Sequence, residues 1–101
     1  LVQATNKRVQ LLGRDWRLRF TRHPEVGAAS DGDCDPPDAK GRTMRVKLND
    51  DGATVHETIL HEAIHGAFWW LDEQYVTDVA RDLSTILLRP DIRKHWDIAP
   101  P

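Results

Sequence analysis

The stretch Thr58-Ile59-Leu60-His61-Glu62-Ala63-Ile64-His65 reads H-E-x-x-H and sits in an apolar run, with Ala67 and Phe68 following. Residues four apart on a helix lie one turn apart on the same face, so His61 and His65 can offer imidazole nitrogens to one ion. Glu62 turns about 100° from His61, beside the ion rather than on it. There a carboxylate can hold and deprotonate water. Two neutral imidazoles suit Zn2+, and a neighbouring carboxylate supplies the base that hydrolysis needs. The motif therefore predicts a helix and, on it, a catalytic metal centre with His61 and His65 as ligands and Glu62 as general base.

Outward from the motif, Thr54 followed by Glu57 has capping-box spacing and predicts a helix from about Val55 to Trp70. Leu71-Asp72 makes a short break, and Asp72 is placed to cap a second helix. Val76, Val79, Ala80, Leu83, Ile86 and Leu87 recur at helical spacing and carry that helix to about Arg89, where Pro90 stops it. One further turn is expected from Asp91 to Trp96.

Upstream the period changes. Val9, Leu11 and Leu12 lead through a turn at Gly13-Arg14-Asp15 to Trp16, Leu18 and Phe20, which alternate with Arg17, Arg19 and Thr21. Period-two alternation predicts strands with one buried face, joined as an antiparallel hairpin. Met44, Val46 and Leu48 alternate with Arg45 and Lys47 in a third strand, expected at the sheet edge before the motif helix, where it could hold an extended peptide. Residues 23–42 carry Pro24, Gly27, Gly32, Pro36, Pro37 and Gly41 and are expected to form a loop without any long element. The expected fold is α+β: a largely antiparallel sheet of about three strands packed on the motif helix and a second helix, in one domain spanning residues 1–101.

Bulk properties exclude several functions. Hydrophobic residues make up 40% and charged residues 30% of the 101, and the net charge is −2. That balance gives no overall pull on nucleic acid, which is not an expected partner. Arg14, Arg17, Arg19 and Arg22 make a local basic stretch, with Arg17 and Arg19 on one strand face; it reads as a solvated face, with phosphate binding as the alternative. The single Cys34 excludes an internal disulfide and fits a reducing compartment. No stretch has the length of a membrane span, and no secretory signal opens the chain, so a cytoplasmic location is expected.

A hydrolytic zinc site needs three protein ligands and one open position. His56 points off the metal face and reads as surface polar; His23 and His95 read as exposed side chains, and Cys34 as a small loop thiol. Three carboxylates, Glu73, Asp78 and Asp82, compete for the third place. Glu73 stands eight residues after His65 at the start of the second helix, and Asp78 lies deeper, where a helical hairpin brings the chain level with the motif. Glu73 is favoured because it flanks the apolar stripe. Asp82 suits a hydrogen bond to a ligand histidine. Trp69 falls on the histidine side of the helix, yet packing between helices is the expected work of both Trp69 and Trp70.

Leu11-Leu12-Gly13, Gly32-Asp33-Cys34-Asp35, Met44 through Leu48 and Thr58 through His65 follow one another in an order that resembles small phage- and prophage-borne zinc metallopeptidases. Glu73-Gln74-Tyr75-Val76 with Ala80 is similar to that family's Glu-x-aromatic-Val-x-x-x-Ala pattern. The resemblance covers about residues 9–89. It implies a minimal gluzincin, a small sheet on two helices, with Glu73 as third ligand and a peptide or protein as substrate. The short connection after His65 departs from the long-spaced gluzincin pattern. A metal-stabilised phage regulatory or interaction domain with little turnover, and hydrolysis of a non-peptide amide, are the alternatives.

Overall fold

A computed structural model describes residues 4–22 and 30–98. The elements are β1 (Ala4–Leu11), β2 (Arg14–Thr21), β3 (Gly32–Cys34), β4 (Thr43–Lys47), α1 (Gly52–Ala67), α2 (Glu73–Leu88) and α3 (Pro90–Trp96). The class is α+β, as the periodicities require. The sheet has four strands in the order β1-β2-β4-β3, one strand more than expected.

β1 and β2 form the predicted antiparallel hairpin, with Val9 opposite Trp16 and Leu11 opposite Arg14. The turn is Leu12-Gly13, at φ 52° and 74°, rather than Gly13 to Asp15. Two successive left-handed residues make the tight connection whose twist matches that of the flanking strands. β1 also starts earlier than the apolar signal, at Ala4, because its polar residues 5–8 are held by the ladder to β2 and not by burial.

Two expectations about the sheet fail together. The third apolar strand, β4, is not at the edge: it pairs parallel with β2 and antiparallel with β3. The sheet is therefore mixed. Arg17 N–H to Arg42 O at 2.8 Å and Leu48 N–H to Thr21 O at 2.8 Å close the two ends of the β2–β4 pair. The edge strand beyond β4 is β3, inside the segment expected to be loop. Three residues are too few to show a period, and here they are fixed by partners. Asp35 N–H donates to Thr43 O and Lys47 N–H to Asp31 O, while Arg45 reaches Asp33 and Asp35 at 2.9 Å each.

Trp16, Met44 and Val46 form the buried face of the sheet, and Val76 and Ala80 are buried positions of α2, which packs on α1. α1 packs on the sheet through Thr58, Glu62 and Gly66, a stripe at four-residue spacing. A Cβ on Gly66 would stand 3.1 Å from Leu11 and 3.2 Å from Trp16, so helix and hairpin meet there at close range.

α1 begins at Gly52 and ends at Ala67, three residues earlier at each end than the expected Val55 to Trp70. Asp51, not Thr54, is the cap. Its carboxylate accepts from Ala53 N–H at 3.1 Å and from the Thr54 hydroxyl at 2.6 Å, so Thr54 serves the cap from inside the first turn. α2 starts after Asp72, whose side chain accepts from Tyr75 N–H at 2.8 Å, and it ends before Pro90 as predicted. Pro90 then opens α3 at its first position, where the missing N–H costs nothing. Among the described residues no helix is long and apolar enough to cross a membrane.

Candidate metal centre

The connection between α1 and α2 is short, so the two helices pair side by side with their chains opposed. At the near end of the pair Glu73 meets His65. Further down, the His56 Nδ1 lies 2.8 Å from the hydroxyl of buried Ser84. The buried positions of α2 (Val76, Ala80 and Ser84) share one stripe with Glu73 at its head.

That stripe decides which carboxylate reaches the motif. His61 Nε2 lies 2.9 Å from Glu73 Oε1, and His65 Nε2 lies 2.7 Å from Glu73 Oε2. The two imidazole Nε2 atoms are 3.1 Å apart. His61, His65 and Glu73 thus converge, their donor atoms all within 4.8 Å of one another. Asp78 is level with His61 along the helical pair but about 200° around α2 from Val76. It faces away, accepting from Gln74 at 3.0 Å and Arg81 at 3.2 Å. Asp82 also turns outward, to Arg81 at 3.2 Å, and makes no contact with a ligand histidine.

The chemistry of the set fits a zinc ion. Two imidazole nitrogens and a carboxylate oxygen are a hydrolytic donor set, and both histidines present the same ring nitrogen. A tetrahedral ion with bonds of about 2.0–2.1 Å needs donors roughly 3.3 Å apart. The observed separations of 2.7–3.1 Å therefore require only a small opening of the cluster. Glu73 is the exposed member, so its rotation is the inexpensive adjustment.

Glu62 lies beside the cluster on the buried stripe of α1, only 5% exposed. Its carboxyl makes no hydrogen bond to a described residue and lines a cavity of about 390 Å³ together with His61, His65, Glu73, Trp69 and β3. Burial pushes its pKa up to about 8, with the charges of Asp33 and Glu73 adding to the effect. Gly32 makes room for it: a Cβ there would stand 3.0 Å from Glu62 Oε2 and 2.6 Å from the Arg45 carbonyl.

β3 forms one wall of this cavity, a contribution the sequence reading missed. Asp31, Asp33 and Asp35 bond into β4, so by antiparallel alternation the backbone groups of Gly32 and Cys34 face the edge that no described strand covers. The edge strand next to the motif helix is thus β3 and not Met44–Leu48. Cys34 is a strand residue at the cavity wall rather than a loop thiol. Burial first, then Glu62, Asp35 and Asp33, push its pKa up to about 12. The Gly-x-Cys-Asp string was the one available signal for this wall.

Other expected residues fall elsewhere. His56 is part-buried against Ser84 of α2, not a surface group. His95 is exposed on α3, as expected, and His23 lies outside the described residues. Trp69 stands edge-on to His65 with ring centres 6.5 Å apart, and it walls the cavity instead of packing between helices. Trp69 is 45% and Trp70 77% exposed, because α1 stops at Ala67 and the following turn carries both rings out of the core. Set against families of known proteins, curated proteins and solved structures, the chain gives no match.

Proposed function

We propose that the protein is a zinc-dependent peptidase in which His61, His65 and Glu73 hold the ion and Glu62 is the general base. The observation that carries this reading is the convergence of two Nε2 atoms and one carboxylate within 4.8 Å, beside a buried carboxyl that has no hydrogen-bond partner among the described residues. The resemblance of residues 9–89 to small phage-borne zinc metallopeptidases agrees with it.

Zinc held there supplies Lewis acidity, lowering the pKa of a water molecule to near 7 and polarising a carbonyl. Glu62 takes the proton of the attacking water and passes it to the leaving amine. Its raised pKa suits both halves of that transfer, and a cation beside it favours the ionised form that must act first. The outer edge of β3, paired with no strand among the described residues, offers main-chain groups to an extended peptide lying across the cavity.

The alternative, a metal-stabilised interaction domain with little turnover, draws on the exposed Phe68, Trp69 and Trp70 beside the cavity. Glu62→Gln separates the two readings. It is expected to retain one zinc per chain while losing cleavage of any peptide that the wild type cuts from a broad library. A variant that cleaves at the wild-type rate removes Glu62 as the base; a wild type that binds zinc and cleaves nothing favours the interaction domain.

A further inference from the structure

The net charge of −2 conceals a division. Residues 1–47, which build the sheet, hold ten Lys and Arg against six Asp and Glu, a net +4. Residues 48–101, which build the helices, hold four against ten, a net −6. Charge asymmetry between the halves of a chain is a sign of a polyanionic partner that the overall charge does not reveal.

A cavity of about 660 Å³ lies in the cationic half and shares no lining residue with the metal cavity. Its wall carries Lys7, Arg8, Arg17, Lys40 and Arg42 against Asp15 and Asp38. Arg8 and Arg17 are directly opposite in the β1–β2 ladder and share the face turned away from buried Trp16. Like charges so placed repel. Arg8 is relieved by its ion pair with Asp15, and Arg42 is anchored over the Trp16 ring and on the Asp15 and Pro37 carbonyls. Arg17 and Lys40 make no side-chain hydrogen bond or ion pair among the described residues, and both are exposed, whereas Lys7, opposite Leu18, belongs to the other face of the sheet. Arg17 and Lys40 therefore stand beside Arg8 and Arg42 at one open cavity with their charge available to an anion.

We propose that this cavity is a docking surface for the phosphate backbone of nucleic acid. A polymer fits better than a single small anion because the cations sit on three separate segments, β1, β2 and the loop before β4, and ring the cavity instead of converging on a point. The one tryptophan in the wall, Trp16, is buried, so bases have no ring to stack on and recognition is of the backbone without sequence preference.

The test is fluorescence anisotropy with a short fluorescein-labelled DNA single strand. Binding is expected with Kd on the order of 10⁻⁴–10⁻⁶ M. Two released counterions give a slope of log K against log salt of about −1.4, so affinity falls roughly sevenfold from 50 to 200 mM salt. Arg17→Glu and Lys40→Glu should each weaken binding at least about tenfold, whereas Lys94→Glu on α3, the same charge change on the other half, should not. All three positions are exposed, so folding is preserved, and circular dichroism checks it. No binding at 50 mM salt, or equal losses in all three variants, overturns the proposal. Inorganic tripolyphosphate binding as tightly as the strand makes the site one for small phosphates and overturns the polymeric occupant. Salt-sensitive self-association that Arg17→Glu abolishes would assign the surface to the acidic half of a second copy and equally overturn it.

Discussion

Gly32→Ala tests how β3 is held against α1. An ideal Cβ at position 32 stands 2.6 Å from the Arg45 carbonyl oxygen, 2.8 Å from Thr58 Cγ2 and 3.0 Å from Glu62 Oε2. The last two atoms end side chains and can turn aside. The carbonyl cannot, because Arg45 is fixed in the ladder between β2 and β3. The edge strand must slide outward, straining its bonds to β4 and lifting it from Thr58 and Glu62. Overpacking of this kind costs about 1–3 kcal/mol, and the backbone contact places this case at about 2–3. For a domain of this size that is a fall in Tm of roughly 8–24 °C. Urea unfolding followed by tryptophan fluorescence, with the Tm from circular dichroism, gives both numbers. Gly52→Ala is the control. Nothing lies within 4 Å of its Cβ, it opens α1, and it should be neutral or stabilise by up to about 1 kcal/mol. A loss at Gly32 below about 0.5 kcal/mol, or equal to that at Gly52, would refute the close-approach reasoning.

Three further outcomes are expected. Glu73→Ala should lower zinc affinity by more than about 100-fold, beyond what a supporting residue costs, while Asp78→Ala leaves it unchanged; a zinc titration showing the reverse reassigns the third ligand. Asp51→Ala should destabilise by about 0.5–2 kcal/mol in urea unfolding, since both of its carboxylate oxygens serve the start of α1, and an unchanged midpoint would return the cap to Thr54. Cys34, with its pKa raised to about 12, stays protonated as pH rises through the range where ordinary thiols ionise. In the chelated protein at pH 8 its alkylation should be slower than that of a free thiol by on the order of a thousandfold, rising about tenfold per pH unit; a rate near that of free cysteine contradicts the burial argument.

The elements that announced themselves in the sequence are those whose stability is local. The motif helix, the second helix with its Asp72 cap and Pro90 stop, and the alternating strands around Trp16 and Met44 each carry enough residues to show a period. The donor pair His61 and His65 and the neighbouring Glu62 were legible for the same reason, since four-residue spacing on a helix fixes a common face. The first turn of α1 was misread because Asp51 and Thr54 both have capping side chains, and only the accepted hydrogen bonds show which one caps.

What only the tertiary structure decided depends on contacts between segments far apart in the chain. β3 is too short for periodicity and exists because Arg45 and the β4 backbone hold it, so neither the fourth strand nor the mixed order could be read from residues 23–42. Glu73 and Asp78 were left competing because spacing along a chain does not fix the angle at which one helix presents itself to another. The packing of Val76, Ala80 and Ser84 against α1 sets that angle, and with it Glu73 turns toward His61 and His65 and Asp78 toward Arg81. The opposite charge of residues 1–47 and 48–101 can be counted along the chain, and only the tertiary structure shows that Arg8, Arg17, Lys40 and Arg42 meet at one cavity.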